Sequence, residues 1–430
     1  MSAKSSVNCP NSRTNPGVAS YVTGPRGCRI TTADDANMSA LATPVLRRYS
    51  LWMQMLMYHY FRSLHRCRWL AAAGLLVMLG VCHAHGGPVA AAQSLRGTAT
   101  EQSAGGEQSA IAGMALHTRK NHIEAADGRG VLLRGVNVTS MENTDQWPHL
   151  RELLERAIGQ WHCNFIRLPL NQDRWLGRAS DEKDHGLAYR MDVARAVRMC
   201  ARHKVYISLD LRWTDRGVWG GRAVQAYMPD THSLIFWRDV AAEYKKFPNV
   251  LFGLFSEPHD VDWLVWRNGG TCMEPQGKHL LTYHAVGMQS LYDAVRSSGA
   301  KNIVIVSGID WASNLFGVLH GFAIKGVNVA YDIHLMGNQA KDWDRRFLLV
   351  GGQYPLVVGE WGGYGMPLAL SERLLKVLDK RQLNWAAWCL GDDTLIKKQK
   401  SSWVLTPLGR LVVSALGSGG PAISGGLKHE

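Results

Sequence analysis

Eight short apolar runs alternate with helical patterns between residues 131 and 390. The runs are rich in β-branched and aromatic residues and end at turn residues, a pattern typical of buried strands in a parallel sheet. They cover residues 131–137, 164–169, 205–210, 250–255, 302–306, 327–334, 355–360 and 385–390. Helical patterns lie between them at about 147–160, 187–203, 231–246, 283–298, 341–350 and 369–382. This alternation predicts a (β/α)8 TIM barrel of the α/β class.

A doubly wound open sheet is the competing architecture. That fold usually carries a Gly-rich phosphate-binding loop after its first strand, and no such loop follows the run at 131–137. The barrel is therefore favoured. Ahead of it, two short extended runs within residues 117–138 flank an Asp127-Gly128 turn, which predicts a short N-terminal β-hairpin. Residues 257–282 are predicted to form a long loop after the fourth strand.

The segments outside the barrel differ from it in composition. An apolar stretch at 70–81 follows several arginines and resembles the h-region of a signal peptide, being shorter than the ~20 residues of a spanning helix. We interpret 1–92 as an N-terminal extension with a signal peptide or signal anchor, 93–112 as a flexible leader, 113–416 as the barrel domain and 417–430 as a disordered tail. The protein is therefore expected to be secreted or periplasmic, with no membrane contact in its mature form unless the signal is uncleaved.

Charge argues against a nucleic-acid partner. Residues 1–92 hold nine Lys or Arg and two Asp, so this extension carries +7 of the formal net charge of +13. The remaining +6 is spread over the barrel without a basic stripe interleaved with aromatic residues. We expect a monomer that does not bind nucleic acid.

Four cysteines lie in the mature chain, at Cys163, Cys200, Cys272 and Cys389. Their scattered spacing excludes a zinc knuckle and a CxxC redox motif. In an exported protein they could form up to two disulfides, and otherwise they are buried thiols. The sequence offers no metal-ligand cluster, so no metal and no cofactor is predicted.

Two acids close predicted strands about a hundred residues apart. Glu257 follows the run at 250–255, and Glu360 ends the run at 355–360. An acid at a strand end often caps a helix or pairs with an arginine. In a barrel, however, the carboxyl ends of all strands meet at one rim, where functional acids lie. Glycoside hydrolysis needs two facing carboxyl groups of this kind.

Six short motifs in order along the chain strengthen this interpretation. They are Leu133-Arg134-Gly135-Val136-Asn137, Phe165-Ile166-Arg167-Leu168-Pro169, Ser256-Glu257-Pro258-His259, Tyr331-Asp332-Ile333-His334, Val358-Gly359-Glu360-Trp361-Gly362 and Trp385-Ala386-Ala387-Trp388. From Met114 to Leu416 the chain resembles glycoside hydrolase family 5, the cellulase and mannanase family. The resemblance implies an endoglucanase-like enzyme that acts on a β-linked polysaccharide or oligosaccharide, with cellulose-like β-1,4-glucan as the first candidate.

The resemblance also implies roles for the site residues. Glu257 would be the general acid/base, kept protonated until the leaving group departs, and Glu360 the nucleophile of a retaining mechanism. Arg167 would hydrogen-bond Glu360 and keep it ionised. His334 would line the sugar subsite, and Trp388 would form its aromatic platform.

Three positions depart from the family pattern. Ser256 replaces an Asn that contacts the 2-hydroxyl of the sugar, Arg212 stands where a His is usual, and Met336 replaces a Tyr that supports the nucleophile. Both carboxylates are kept, so hydrolysis is the leading hypothesis. A catalytically weakened barrel that binds glycan is the alternative, and transfer of the glycosyl unit to another sugar is a third possibility.

Aromatic residues near predicted strand ends are candidates for stacking against sugar rings, with packing beneath the loops as the alternative. They are Trp175, Trp213, Trp361 and Tyr364. The expected partner of the protein is thus a β-linked glycan.

Overall fold

The computed structural model describes residues 111–142, 147–337, 343–399 and 402–417. The extension at 1–92, most of the leader at 93–112 and the tail beyond Gly417 lie outside these ranges, so what the sequence predicts for them stays a prediction. None of the helices in the described ranges combines the length and the hydropathy of a membrane span.

Fourteen strands occur in the described residues. In chain order they are β1 Leu116–Arg119, β2 His122–Ala125, β3 Arg134–Val138, β4 Phe165–Asn171, β5 Tyr206–Trp213, β6 Val250–Gly253, β7 Gly269–Gln276, β8 His279–Val286, β9 Val304–Ser307, β10 Val329–Leu335, β11 Leu356–Trp361, β12 Asn384–Leu390, β13 Ile396–Gln399 and β14 Ser402–Leu405. Eight of them, β3 to β6 and β9 to β12, form a closed parallel barrel in which β12 pairs with β3. The predicted TIM barrel is confirmed.

The α-helices of the described ranges surround this barrel. They are α1 Leu150–Glu155, α2 Gln172–Trp175, α3 Leu187–Arg202, α4 His232–Tyr244, α5 Trp263–Asn268, α6 Met288–Ser297, α7 Leu349–Gly351, α8 Leu368–Lys380 and α9 Pro407–Gly417. Short 3-10 helices lie at Ala112–Met114, Trp147–His149 and Phe316–His320, and π-helical turns at Arg156–Gln160 and Asp344–Leu348.

Alternate residues along a barrel strand point to opposite faces, so one set packs in the apolar core and the other points toward the site. In β5, Ile207, Leu209 and Leu211 belong to the large apolar cluster that also contains helical residues. The intervening Asp210 and Arg212 hydrogen-bond to side chains of other barrel strands. Because successive strand residues point to opposite faces, one strand supplies both the packing against the helices and polar groups for the barrel interior.

The amino-terminal end of the barrel is covered by a two-stranded sheet. β1 and β2 pair antiparallel, with the turn at residues 120–121 rather than at the predicted Asp127-Gly128, which forms a separate turn. Ile123 of β2 packs in a buried cluster with Phe165 and Ile305, near the starts of β4 and β9. This contact closes the end of the barrel opposite the predicted site.

The predicted long loop at 257–282 is wrong, because this segment contains α5, β7 and the start of β8. The strands β7 and β8 pair antiparallel, and Cys272 and Glu274 on one strand share a buried face with Tyr283 and Ala285 on the other. The same hairpin extends to Val286, so the helix predicted from 283 begins only at Met288. The alternation of buried and exposed residues identifies these strands once the structure is known.

All four cysteines of the described chain are buried and unpaired. Burial raises the pKa of Cys200 to about 12 and that of Cys272 to about 11. The structure therefore agrees with the thiol alternative and not with two disulfides.

Candidate active site

A cavity of about 680 Å³ opens at the carboxyl-terminal rim of the barrel. Four of the predicted site residues line it, namely Arg212, Glu257, His334 and Trp388. The other three, Arg167, Ser256 and Glu360, are at most 2 % exposed and contact Arg212 or one another at its base. The structure thus brings all seven together at one end of the barrel.

Backbone geometry aims the two acids at each other. A register shift in the pairing of β10 with β11 sets His334 opposite Glu360. Glu257, just beyond β6, has a φ of 60°, a left-handed conformation that a residue other than glycine keeps only where contacts hold it. Here Gln225 Nε2 donates to the Ser256 carbonyl at 2.5 Å, and a ring nitrogen of His259 lies 2.7 Å from the Glu257 carbonyl.

The carboxylates of Glu257 and Glu360 and the ring of His334 each offer an atom within 4.8 Å of the others. His334 Nδ1 lies 3.0 Å from Glu257 Oε1 and 3.6 Å from Glu360 Oε2. Glu257 is 7 % exposed and Glu360 is fully buried, so only the first of the two acids reaches the cavity surface.

Two guanidinium groups hold one oxygen of Glu360. Its Oε1 accepts hydrogen bonds from Arg167 Nη1 and from Arg212 Nη1, the latter at 2.5 Å. Within the described residues its Oε2 has no hydrogen-bond partner. Arg167 is itself fixed by Asp210, which accepts from Nη2 at 2.9 Å, and by Asn137 Oδ1 at 2.9 Å from Nη1. The arrangement leaves one carboxylate oxygen of Glu360 free to act.

Asp332 supports His334 from below. Its Oδ2 lies 3.0 Å from His334 Nε2 and accepts from Ser307 Oγ at 3.0 Å, while its Oδ1 accepts from the Gly359 amide at 2.8 Å. The carboxylate fits because residue 359 has no side chain, since a Cβ there would lie 2.3 Å from Asp332 Oδ1. His334 is thereby fixed between three carboxylates.

These contacts favour a proton on His334 over one on Glu257. Burial would raise the pKa of Glu257, but the charge of Arg212 and the hydrogen bond from His334 outweigh it and lower that pKa to about 2. Burial would likewise lower the pKa of His334, but Glu360 and Asp332 raise it to about 10. The free protein therefore favours the proton on the imidazole of His334, and the role of Glu257 as general acid/base stays a prediction.

We expect His334→Gln to cost stability in a pH-dependent way. Because the pKa of His334 is higher in the folded than in the unfolded state, its protonation stabilises the folded protein. This stabilisation is complete at pH values below the unfolded histidine pKa of ~6.5 and is lost as pH rises through about 10. The free energy of unfolding of the variant should be lower than that of wild type by about 2 kcal/mol at pH 6, and this difference should decrease steadily toward pH 10. Urea unfolding at several pH values measures this. His203→Gln, at an exposed position, is the control, and a gap that does not vary with pH would contradict the charged state of His334.

Arg212 connects the two acids. Its Nη2 lies 3.2 Å from Glu257 Oε2 while its Nη1 binds Glu360, and its guanidinium carbon lies 4.6 Å from the centre of the Trp388 ring. Ser256, fully buried, accepts from Arg167 at 3.0 Å and from Arg212 at 3.4 Å. Two of the three departures from the family pattern thus contact each other, and the arginine covers the predicted platform.

A metal ion is not favoured between Glu257, His334 and Glu360. These residues have metal-ligand spacing, but Arg167 and Arg212 already neutralise their negative charge. A divalent cation would have to displace a guanidinium group from a buried ion pair.

Several residues that sequence reasoning missed also line the cavity, among them Thr139, Glu142, Gln225, Trp311 and Asp392. Glu142 and Trp311 follow β3 and β9, so a search of the residues beyond every strand would have found them. Gln225 lies in the middle of a loop with no such signal. Burial raises the pKa of Glu142 to about 7, although the charge of Arg212 opposes this.

Of the four aromatic residues proposed to stack against sugars, Trp213 and Tyr364 line the cavity. Trp175 and Trp361 are at most 1 % exposed and pack in the core, against Phe236 and Trp385 respectively. The stacking prediction is wrong for these two residues. Trp311, 49 % exposed and stacked on His259, provides an aromatic face instead.

Curated endoglucanases are similar to this chain in sequence. The chain is similar to an endoglucanase of Clostridium saccharobutylicum, at 21% identity over 63% of this chain and 55% of the relative. It is also similar to endoglucanase MaCel5A of Microbulbifer sp., at 22% identity over 65% of this chain and 51% of the relative. The chain therefore spans about half the length of these relatives.

Solved structures show the same barrel. The beta-glucanase SdGluc5_26A of Saccharophagus degradans matches with a TM-score of 0.55 at 20% identity, covering 71% of this chain and 93% of that one. The catalytic domain of endoglucanase Cel5A from Thermobifida fusca matches with a TM-score of 0.51 at 16% identity, covering 70% and 97%. These likenesses establish the fold.

The family itself follows from a sequence profile. The profile of cellulase, glycosyl hydrolase family 5, matches residues 125–394, which is more than half of the chain and includes every barrel strand. This protein belongs to the cellulase family, glycosyl hydrolase family 5.

Proposed function

We propose that this protein hydrolyses β-glycosidic bonds of a polysaccharide or oligosaccharide, with β-1,4-glucan as the first candidate, by a retaining two-carboxylate mechanism. The observation that carries the proposal is the pair of Glu257 and Glu360 at one cavity, with atoms within 4.8 Å of a shared histidine and one oxygen of Glu360 that accepts no hydrogen bond from the described residues. Retaining glycosidases place their two carboxyl groups about 5–5.5 Å apart. The names of the endoglucanase relatives, and a cellotetraose complex of the Saccharophagus degradans beta-glucanase, support the substrate class.

In the first step, Glu360 Oε2 attacks the anomeric carbon while Arg167 holds Oε1. The bond to the leaving oxygen breaks, and that oxygen takes a proton from Glu257. In the free protein this proton lies on His334, whose Nδ1 is 3.0 Å from Glu257 Oε1 and can deliver it. In the second step, a water molecule gives one proton to Glu257 while its hydroxyl oxygen bonds to the anomeric carbon, and the bond between that carbon and Glu360 Oε2 breaks.

Arg212 has to move for a sugar to stack on Trp388 and reach Glu360. The guanidinium lies over the ring at 4.6 Å and bridges both carboxylates, so it occupies the approach to the buried nucleophile. The same observation favours the second candidate function, a barrel that binds glycan but cleaves it poorly. Hydrolysis requires Arg212 to move away from Glu360, whereas glycan binding without cleavage does not.

We expect Arg212→His to raise kcat on a soluble β-glucan at pH 5 by at least about tenfold. Removing the guanidinium opens the face of Trp388 and removes the charge that most strongly opposes the effect of burial on the Glu257 pKa, which then rises from about 2. Each unit of that rise increases the protonated fraction of the acid about tenfold. Initial rates from pH 4 to pH 8 measure the effect. Arg195→His, exposed on α3, is the control. A lower kcat in Arg212→His would show that Arg212 aids catalysis, and an unchanged kcat would show that it does not obstruct the site.

The proposed function is tested with the wild-type protein on carboxymethyl cellulose, mannan, xyloglucan and aryl β-glycosides. Release of reducing ends, with the β-anomer as the first product seen by proton NMR, supports retaining hydrolysis. Retention on immobilised glycan without release supports the binding function. Export and a monomeric state stay predictions from the sequence.

A further inference from the structure

A second cluster of titratable residues lies beside the cavity, beyond the ends of β4 and β5. Asp215 follows β5, Asp230 and His232 lie at the start of α4, and Asp173 belongs to α2. Asp215, Asp230 and His232 each offer a ligand atom within 4.8 Å of the others, with His232 Nδ1 3.2 Å from Asp215 Oδ1. The three aspartates are at most 1 % exposed, and the His232 side chain is 12 % exposed.

The charge of this cluster is not balanced by the described residues. No Lys or Arg side chain in the described ranges forms an ion pair with Asp173, Asp215 or Asp230, and His232 is the one basic group that pairs with any of them. Three buried carboxylates therefore require bound protons or a bound cation.

Asp173 gives independent evidence for a missing partner. It is fully buried, and neither of its carboxylate oxygens has a hydrogen-bond partner among the described residues. Its chain neighbour Gln172 hydrogen-bonds to both Asp215 and Asp230, so Asp173 lies beside the other two acids. A buried carboxyl group without a donor is costly unless something outside the chain satisfies it.

The contrast with the catalytic cluster is direct. Glu257, His334 and Glu360 have the same ligand spacing, but two arginines bind their oxygens. Among the residues that the structure describes, the one other side chain that donates to Asp215 and Asp230 is neutral: Gln172 Nε2 lies 3.3 Å from Asp215 Oδ1 and 3.2 Å from Asp230 Oδ1. Ser233 Oγ donates to Gln172 Oε1 at 2.6 Å and so fixes this amide, as an outer residue orients the ligands of a metal.

We propose that Asp215, Asp230 and His232 bind a divalent transition-metal cation such as Mn²⁺ or Zn²⁺, with Asp173 supplying a third carboxylate close by. One imidazole nitrogen with carboxylate oxygens suits these ions, whereas Ca²⁺ and Mg²⁺ prefer ligand sets made of oxygen alone. Sequence reasoning missed this site, because its ligands lie at the two ends of one long loop and at the start of α4, with Asp173 on α2.

A cation here would fix the loop between β5 and α4. Trp219 of this loop stacks on His232 at 3.4 Å, and Gln225 of the same loop lines the catalytic cavity. Metal binding at this site would therefore stabilise the loop that forms one wall of the catalytic cavity. The site itself supplies no group to the reaction. This inference is independent of the proposed hydrolysis, because metal binding is measured directly.

The test is a titration of the full chain with Mn²⁺ after treatment with chelator and dialysis. Electron paramagnetic resonance measures free Mn²⁺, and calorimetry compares Zn²⁺, Ca²⁺ and Mg²⁺. We expect one Mn²⁺ per chain, a higher melting temperature when it is bound, and affinity at least about tenfold weaker in Asp215→Asn and Asp230→Asn. His232→Gln, at a partly exposed position, should weaken binding as well and covers the case in which an aspartate variant fails to fold.

Glu360→Gln in the catalytic cluster is the matched control and should bind Mn²⁺ as wild type does. The proposal is overturned by a wild-type protein that binds no Mn²⁺ or Zn²⁺, or by one that prefers Ca²⁺ or Mg²⁺. It is equally overturned if binding survives all three variants of the Asp215 cluster, or if Glu360→Gln abolishes it.

Discussion

Glu360→Gln is expected to lower kcat on a soluble β-1,4-glucan by at least about 10⁴-fold. An amide oxygen is a poor nucleophile, so the covalent intermediate of a retaining mechanism cannot form at a useful rate. The amide carbonyl can still accept from Arg167 and Arg212, which both donate to Oε1, and its volume matches the carboxylate it replaces. The loss should therefore fall on catalysis and spare the fold.

Reducing-end release and thermal unfolding, measured on the same preparation, separate these two effects. Glu372→Gln, the same change at an exposed position of α8, serves as the control and should retain full activity. Wild-type rates in the Glu360 variant would eliminate this residue as the nucleophile. A variant that loses activity only because it unfolds would be recognised by its melting curve.

Glu257→Ala is expected to lower kcat by about 10²–10⁴-fold on glucan but far less on aryl β-glycosides with an acidic phenol. An acidic leaving group departs without protonation, so only the unactivated substrate needs the acid. Truncation at the cavity surface also leaves space beside Glu360, where added azide can attack the glycosyl intermediate.

Rates on both substrate types, with and without azide, measure this dependence. Faster turnover with azide, giving a β-glycosyl azide, would identify Glu257 as the acid/base. An equal loss on glucan and on the activated glycosides, with no response to azide, would assign the acid/base role to another group. His334→Gln provides a comparison, since it removes the proton donor but keeps the Glu257 carboxylate.

The barrel could be predicted because each of its strands has a recognisable pattern of apolar residues within a few consecutive positions. The runs at 164–169, 250–255 and 355–360 are apolar, short and bounded by turns, and tertiary context leaves them little alternative to a buried parallel strand. The position of Glu257 and Glu360 at one rim then follows from topology alone. The β7–β8 hairpin was missed because its strands carry Gly, Pro and polar residues on their exposed face.

Side-chain partners in the site could not be predicted in this way. That Arg212 bridges Glu257 and Glu360 depends on side-chain conformation and on three strands that are far apart in sequence. Trp175 and Trp361 lie near strand ends as expected. Whether such a side chain lines the cavity or packs in the core depends on the face of the chain from which it projects, and both of these pack in the core. Strand position predicts where a residue lies, and packing decides what it touches.

The close approach of Asp332 to Gly359 has an evolutionary consequence. Any side chain gained at position 359 would collide with the carboxylate, and a smaller residue at position 332 would leave the Gly359 amide and the His334 ring without their acceptor. A sequence in which only one of these two positions has been substituted would therefore fold poorly. Across related lineages, these two positions should stay fixed together even where the aromatic lining of the cavity diversifies toward new sugars.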